Sequence, residues 1–282
     1  MSTAAVAVRA GRSRGLIELR QSVTNAGDLL NHLLWPILML VALYFLRDRT
    51  IPGGGFPLGA LVLPSILGMN AAMAMVSMSQ QLTADREDGT LLRARATPYG
   101  IIGYLTGKLI SVSGGLLLDL AIFAVPALFL VDGLALGRAA TWWTLGGVLL
   151  LGLVATLPAG AVLGSVFTSA RSQGLLTLPV LAVIGISGIF YPITVLPGWL
   201  QGVAQAFPVY WMGLGMRSAL LPPSAAAAEI GSSWRHLETA GVLGAWAVAG
   251  LVVAPFVLRR MARRESGSTV AERRDRALQR VG

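Results

Sequence analysis

The sequence predicts an all-α membrane protein with six transmembrane helices. Hydrophobic residues make up 55% of the 282 residues and charged residues only 12%, about half the charged fraction of a soluble domain. The mean hydropathy is +0.70, and the apolar stretches are separated by short charged or proline-rich segments. These observations predict a single transmembrane domain over residues 1–258, followed by a basic tail over residues 259–282.

Composition also excludes several kinds of site. The chain has no cysteine, which rules out disulfides, thiolate metal sites and cysteine nucleophiles. Two histidines, His32 and His236, are too few for a histidine metal cluster. We therefore predict no catalytic residue and no metal site. The net charge of +9 comes from basic residues that flank apolar runs, so the expected partner is anionic lipid and not nucleic acid.

The N-terminal part predicts a helix at the membrane surface. Over residues 12–30, Leu16, Leu19 and Val23 recur at helical spacing, with Arg14 and Glu18 on the opposite side. The polar stretch before the first apolar run is too long for the start of a cleavable signal peptide. The six spans are then expected at about residues 29–46, 57–81, 99–131, 142–167, 175–190 and 239–258.

Polar residues inside two of these spans are candidates for function. Asn70, Met73 and Ser77 lie on one side of the second span, which indicates hydrogen bonds between helices or a transport path. Asp119 lies deep in the third span, where it could recognise substrate, couple to protons or bond a neighbouring helix. Lys108, nearer the start of that span, is expected to extend to the membrane interface. The candidate path residues are Asn70, Met73, Ser77 and Asp119.

A dense group of charges separates the second span from the third. Residues 80–98 cannot stay in a bilayer, and Gly89 interrupts them, so that Thr90 is expected to cap a short helix beginning at Leu91. Such an ordered charged helix suits contact with a partner in water, although a loop that only sets topology has the same composition. The candidate contact residues are Asp85, Arg86, Glu87, Asp88, Gly89, Thr90 and Leu91.

The distribution of basic residues predicts the orientation. With a cytosolic N-terminus, sixteen arginines fall in the inside segments and five in the outside segments. Both termini and the charged helix are therefore expected in the cytosol. The proline-rich stretch 191–238 is expected outside, as a pair of short helices that re-enter the outer leaflet.

Glycine motifs predict close helix contacts. Gly103 and Gly107, and likewise Gly160 and Gly164, are spaced four residues apart in apolar helices, which favours packing within the bundle over a dimer seam. The run GYLTGK at residues 103–108 superficially resembles a phosphate loop. It fails as one, since its glycines are too close and Leu109 stands where serine or threonine is needed.

The order of these features resembles the permease subunits of type 2 ATP-binding-cassette exporters, which include daunorubicin-type drug efflux permeases and polysaccharide and teichoic acid exporters. The run REDGTL at 86–91 with ATP at 96–98 is similar to the charged coupling motif of that family. Leu92 departs from it, because many members carry glutamate there. The outer motif of the family resembles a group of residues before the sixth span, namely Tyr191, Pro192, Leu196, Pro197 and Trp199.

The resemblance implies a transporter subunit of the plasma membrane that is not itself an enzyme and binds no cofactor. Two such subunits, as a homodimer, would form the path, and two separate ATPase subunits holding ATP and magnesium would dock on the charged helices. The outer motif would form a re-entrant gate. The expected cargo is hydrophobic or amphipathic, as in multidrug efflux and antibiotic resistance. The alternatives are export of a polysaccharide or lipid-linked glycan and, in another class, a six-span intramembrane enzyme or a membrane scaffold.

Overall fold

The computed structural model of the chain describes residues 3–49, 57–97, 100–166 and 170–264, and within these ranges all the long elements are α-helices. The predicted all-helical class is thereby confirmed for the described residues. The helices are α1 Thr3–Thr24, α2 Ala26–Leu46, α3 Leu58–Glu87, α4 Thr90–Arg95, α5 Gly100–Leu130, α6 Ala139–Val166, α7 Ala170–Ile186, α8 Gly198–Ala206, α9 Pro208–Leu220 and α10 His236–Arg264. Short 3-10 turns occur at Ile193–Val195, Pro223–Ala228 and Ile230–Ser232.

Five of the described helices are long and apolar enough to cross a membrane, namely α2, α3, α5, α6 and α10. The stretch expected as the fifth span, residues 175–190, instead forms part of α7, which has 17 residues and ends at Ile186. A turn follows at Ser187, where the side-chain hydroxyl donates to the carbonyl oxygen of Ile184 at 2.6 Å. The helix therefore begins before the expected span at about residues 175–190 and ends four residues earlier.

Helix α3 is the centre of the bundle. In its most apolar window 72% of the residues are buried, against 11% for α2 at the periphery. It packs against α5, α6, α7 and α9, while α10 packs on α6, and α1 and α2 pack on α5. The outer helices carry exposed apolar side chains such as Leu34, Phe129 and Phe256. An apolar outer surface around a packed core is the arrangement that contact with lipid requires.

Glycines bring α1 and α5 into backbone contact. A Cβ atom added at Gly11 would lie 2.3 Å from the carbonyl oxygen of Gly103, and one at Gly15 would lie 2.5 Å from that of Gly107. Larger residues at these positions would push the two helices apart. The Gly103 and Gly107 pair therefore packs within the chain, as the spacing predicted, and its partner is the N-terminal helix.

The second glycine pair brings α6 against the central helix. A Cβ atom at Gly160 would lie 2.3 Å from the carbonyl oxygen of Met75, and one at Gly164 would lie 2.9 Å from the Cα atom of Ser79. The space that the absent side chains leave is filled by the backbone of α3. This pair also packs within the bundle.

The N-terminal helix differs from its prediction over residues 12–30. Helix α1 spans Thr3–Thr24, and α2 begins at Ala26, so Ala26 and Leu30 belong to the first long apolar helix. Asn25 marks the boundary, because its side-chain oxygen accepts a hydrogen bond from the backbone N–H of Gly27 at 3.0 Å. The prediction of one continuous surface helix over residues 12–30 was wrong, because Asn25 is the N-cap of a second helix.

The charged segment also differs from its prediction. Helix α3 does not end near Gln81 but continues to Glu87, so Asp85, Arg86 and Glu87 form its last turn. Gly89 then adopts a φ of 76°, a left-handed conformation that glycine allows, and α4 follows. The backbone N–H of Thr90 donates to the Oδ1 atom of Asp88 at 2.8 Å, so the side chain that caps this turn is Asp88 and not Thr90. Pro98, expected to start the next helix, lies outside the described residues.

The last helix is longer than the expected sixth span. Helix α10 runs from His236 to Arg264, past the predicted end at Leu258. Its last turns are rich in arginine, which is as compatible with a helix as with an extended tail. Between α7 and α10, the stretch expected to form a pair of short helices contains α8 and α9 with the three 3-10 turns.

Candidate functional site

The candidate contact residues at the end of α3 divide into a buried group and an exposed group. Asp85 and Arg86 are only 8% and 5% exposed, and Leu91 is fully buried. Glu87 and Asp88 are exposed, as is Arg93 on α4. All seven were predicted as contact residues, and Arg86 and Glu87 were expected to differ in burial. A helix that continues past the membrane necessarily turns some of these positions toward its neighbours, which explains the division.

Asp85 belongs to a network of charges in which Asp85 and Lys108 are buried and Glu18 and Arg14 are partly exposed. Its Oδ2 atom lies 3.0 Å from the Nζ atom of Lys108 and accepts a hydrogen bond from the hydroxyl of Tyr104 at 2.7 Å. Lys108 also lies 3.3 Å from the Oε2 atom of Glu18 on α1, and Glu18 pairs in turn with Arg14 at 2.8 Å. Two cations and two carboxylates thus connect α1, α3 and α5.

Lys108 has charged partners that were not predicted from the sequence. Its side chain is only 9% exposed and lies between helices, where it pairs with carboxylates and does not extend into open solvent. The expectation that it extends to the membrane interface followed from its distance to the end of the apolar stretch. Two carboxylates on other helices offset part of the cost of burying the ammonium, but neither could be assigned to Lys108 from spacing along one helix.

Arg86 points toward α6. Its Nη1 atom donates to the carbonyl oxygen of Ser165 near the end of that helix at 3.4 Å. The last carbonyl groups of a helix lack intrahelical donors, and a cation there also interacts favourably with the helix dipole. Arg86 therefore connects the end of α3 to the end of α6.

A cavity of about 830 Å³ lies beside this network, between α1, α2, α3 and α5. All four candidate path residues line it, namely Asn70, Met73, Ser77 and Asp119. The indole N–H of Trp35 on α2 donates to the side-chain oxygen of Asn70 at 3.3 Å across it. Glu18, Gln81 and Lys108 also line the cavity, so the charge network forms one end of its wall.

Asp119 has a partner that the sequence did not reveal. The Nδ1 atom of His32 on α2 lies 2.5 Å from the Oδ1 atom of Asp119. The imidazole packs over Gly115, where an added Cβ atom would lie 3.3 Å from its Cε1 atom. The Asp119 side chain is still 32% exposed, so the cavity can reach it. Among the described residues, no group of three potential metal ligands forms a metal site.

Residues 13–221 match the family model described as ABC-2 type transporter, from α1 through α9. The chain belongs to the ABC-2 type transporter family. It is therefore the multi-pass membrane subunit of an ABC transporter and not the catalytic component, and membership implies association with ABC ATPase subunits. A search of curated proteins finds no match.

In this ABC-2 chain the outer motif lies mostly at the surface. Trp199 is 72% exposed, and Pro192 and Pro197 are exposed, while Leu196 is half-buried. The hydroxyl of Tyr191 donates to the carbonyl oxygen of Gly185 at 2.5 Å, which holds the turn after α7. The motif is thus tied to the end of α7.

Between α7 and α10 of the ABC-2 chain, a buried ion pair involves two residues that the sequence analysis did not select. The Nε atom of Arg217 on α9 donates to the Oε1 atom of Glu229 at 2.7 Å, and both side chains are almost fully buried. Arg217 also donates to the carbonyl oxygens of Gly188 and Ile189 at 3.0 and 3.2 Å. Arg217 therefore joins α9, the 3-10 segment and the turn after α7. Their sequence signal is that Arg217 and Glu229 are among the few charged residues between residues 191 and 238.

Proposed function

We propose that the chain is the permease subunit of an ATP-driven exporter of hydrophobic or amphipathic compounds, either drugs or lipid-like molecules. Two copies would form the path, and each would associate with a separate ATPase subunit that holds ATP and magnesium. The observation that carries the proposal is the cavity between α1, α2, α3 and α5, which brings together the four path residues predicted from two different helices. Its volume suits a drug-sized molecule.

The end of α3 and helix α4 are the proposed site of coupling to the ATPase. Glu87, Asp88 and Arg93 supply an exposed charged surface there, and Asp85 and Arg86 join this surface to the helices behind it. A short helix seated in a groove of the ATPase would transmit movement through these contacts. Asp85 pairs with Lys108, which lines one end of the cavity, so the charge network links the proposed coupling surface to the proposed path.

The membrane arrangement in this proposal has six spans, with α7 as the fifth and with α8 and α9 re-entering the outer leaflet. The basic residues favour cytosolic termini, where arginines of α10 would contact anionic lipid in the plasma membrane. The proline-rich stretch would face outside as a gate. Within the same family, export of a polysaccharide or lipid-linked glycan is the second candidate. The cavity lining is partly polar, which suits a glycan better than it suits a purely apolar molecule.

The test is copurification followed by transport. The chain, expressed with candidate soluble ATPases, is expected to retain one of them through affinity purification, and the complex in proteoliposomes is expected to export amphipathic compounds with ATP. A matched complex whose ATPase lacks its catalytic glutamate controls for passive leakage. Failure to retain any ATPase would favour the enzyme or scaffold alternatives, while ATP-driven export of glycans alone would favour the second candidate.

A further inference from the structure

We propose that the cavity selects amphipathic cations, that Asp119 receives the positive charge of the cargo, and that His32 is a resident partner which the cargo displaces. This inference names a substrate class for the path described above and so rests on the proposed function. It depends on the balance of charge around the cavity, on access to Asp119 and on the apolar groups beside it.

The first step is the charge of the wall. Among the described residues that line the cavity, Lys108 is the sole lysine or arginine, and it is already paired with Glu18 and Asp85. With Arg14 the network holds two cations and two carboxylates, and so it is balanced. An anionic cargo would therefore find no uncommitted lysine or arginine among these residues.

The second step is the charge that remains. Outside the network, the ionisable carboxyl and imidazole groups of the described lining are Asp28, His32 and Asp119. His32 can balance at most one of the two carboxyl groups, so when both of them are ionised this part of the cavity carries net negative charge in either protonation state of the imidazole. Such a wall attracts a cation, because a bound cation neutralises the carboxylate charge that no side chain of the wall neutralises.

The third step is access. The Oδ1 atom of Asp119 is occupied by His32 at 2.5 Å, whereas the side chain as a whole is 32% exposed and borders the cavity. A cationic group could approach the carboxylate from the cavity side. His32 is attached to α2, a peripheral helix, and not to the buried centre of the bundle, so its ring can yield the contact without disturbing the packing of α3.

The fourth step is the apolar side of the ligand. Trp35 is 48% exposed at the same cavity, and Met69, Met73 and Leu116 line it as well. Aromatic rings attract organic cations through the face of the ring, and methionine adapts to varied shapes. A carboxylate beside an indole and flexible apolar side chains fits a molecule with both a positive centre and a hydrophobic body.

The inference can be tested by equilibrium binding to the purified complex in nanodiscs. The probes are radiolabelled tetraphenylphosphonium, a lipophilic cation, and triphenylphosphine oxide, a neutral compound of related shape. Asp119→Asn is expected to weaken binding of the cation about 10- to 100-fold relative to the neutral probe, because it removes one charged contact. Asp119→Glu retains the charge and is expected to retain the preference.

Variants of His32 test displacement separately. His32→Lys places a permanent cation beside Asp119 and is expected to reduce tetraphenylphosphonium binding selectively. His32→Asn keeps a neutral donor near the position of Nδ1 and is expected to leave the preference for the cation in place. Ser77→Ala, in the same cavity, is the matched control and should affect both probes alike. Melting temperatures of all variants identify any that fail to fold, and Asp119→Asn and His32→Asn are close to their parent side chains in size.

Equal changes for the two probes in Asp119→Asn, or unchanged cation binding in a folded His32→Lys variant, would overturn the inference. Absence of tetraphenylphosphonium binding to the parent complex would also overturn it. Copurification with an ATPase does not depend on cargo charge. A complex that keeps its ATPase and exports only neutral compounds would therefore refute the inference and leave the proposed function standing.

Discussion

At the scale of single residues, Lys108 stands out as a buried lysine that pairs with two carboxylates. It is buried between three helices, and its ammonium group lies within 3.3 Å of carboxylates on two of them. A buried ion pair is costly to break because the remaining partner keeps its desolvation cost. The stability of this end of the bundle therefore depends on a group that lines one end of the cavity.

Lys108→Met is expected to destabilise the protein by about 3 kcal/mol, near the lower end for a buried pair because Glu18 is partly exposed. The measurement is the free energy of unfolding in detergent, with Arg93→Met, an exposed cation, as the control expected to change it by less than about 0.5 kcal/mol. Lys108→Met combined with Asp85→Asn should recover part of the loss. Equal effects of the Lys108 and Arg93 variants would contradict the description of Lys108 as buried and paired.

Arg86 and Glu87 are adjacent in sequence but should respond differently to charge reversal. Glu87→Arg changes an exposed residue and is expected to leave the membrane level unchanged while lowering the copurified ATPase about tenfold or more. Arg86→Glu places a carboxylate in a buried position and should lower the amount of folded protein itself. Quantitative immunoblots of membranes and of the purified complex separate the two effects. The division into buried and exposed groups would be wrong if both variants folded and bound alike.

The candidate residues that could be predicted from sequence are those that share one helix. Asn70, Met73 and Ser77 were found because helical spacing alone places them on one side. The partners of Asp119 and Lys108 could not be found in this way, since His32 and Asp85 lie on other helices and the register between helices is set by packing. A signal did exist, because His32 is the sole histidine of the first apolar run and Asp119 is the sole acidic residue of the third.

At the scale of elements, apolar runs predicted where the long helices lie but not where they end. The hydrocarbon layer limits an apolar run, whereas a helix can continue into water as long as its backbone stays hydrogen-bonded. Helices α3 and α10 both continue beyond the predicted limits, to Glu87 and Arg264. Local caps explain the true ends. Asn25 and Asp88 supply side-chain oxygens to backbone N–H groups, and Gly89 supplies the left-handed turn.

The segment between α7 and α10 depends on the Arg217 and Glu229 pair. Arg217→Met is expected to cost about 3 to 5 kcal/mol, because it leaves Glu229 buried without its cation and removes two hydrogen bonds to carbonyl oxygens. Replacing both residues, with Arg217→Met and Glu229→Gln, should cost less than the single change. The free energy of unfolding of the three variants provides the double-mutant comparison. A fully additive result would show that the two side chains do not stabilise each other.

At the scale of the whole molecule, the predicted orientation can be tested because the chain has no cysteine of its own. Gly198→Cys, at the exposed start of α8, is expected to react with an impermeant thiol reagent on intact cells, and Gly54→Cys should do the same. Ser172→Cys and Ser268→Cys should react only after the membrane is opened. Residues 54 and 268 lie outside the described ranges, so for them the expectation rests on the distribution of arginines.

External labelling of Ser172→Cys in intact cells would contradict the predicted orientation and indicate the opposite one. Labelling of Gly198→Cys only in opened cells would have the same meaning. Permeabilised cells provide the control for reactivity, since every accessible cysteine should then be modified. The result also bears on the coupling surface, because Glu87 and Asp88 can meet a soluble ATPase only from the cytosol.

The contact of Gly11 with Gly103 has a consequence for how the protein is synthesised. Helix α1 emerges from the ribosome before α5, yet the groove that receives it belongs to α5, about 90 residues later in the chain. At about 5 to 20 residues per second, the nascent helix must wait about 5 to 20 seconds with Arg14 and Glu18 still separated from Lys108. During this interval the membrane surface and the insertion machinery are its available neighbours. Chains whose translation stops before α5 would therefore display an unfilled glycine face, by which quality-control proteases could distinguish unfinished copies from finished ones.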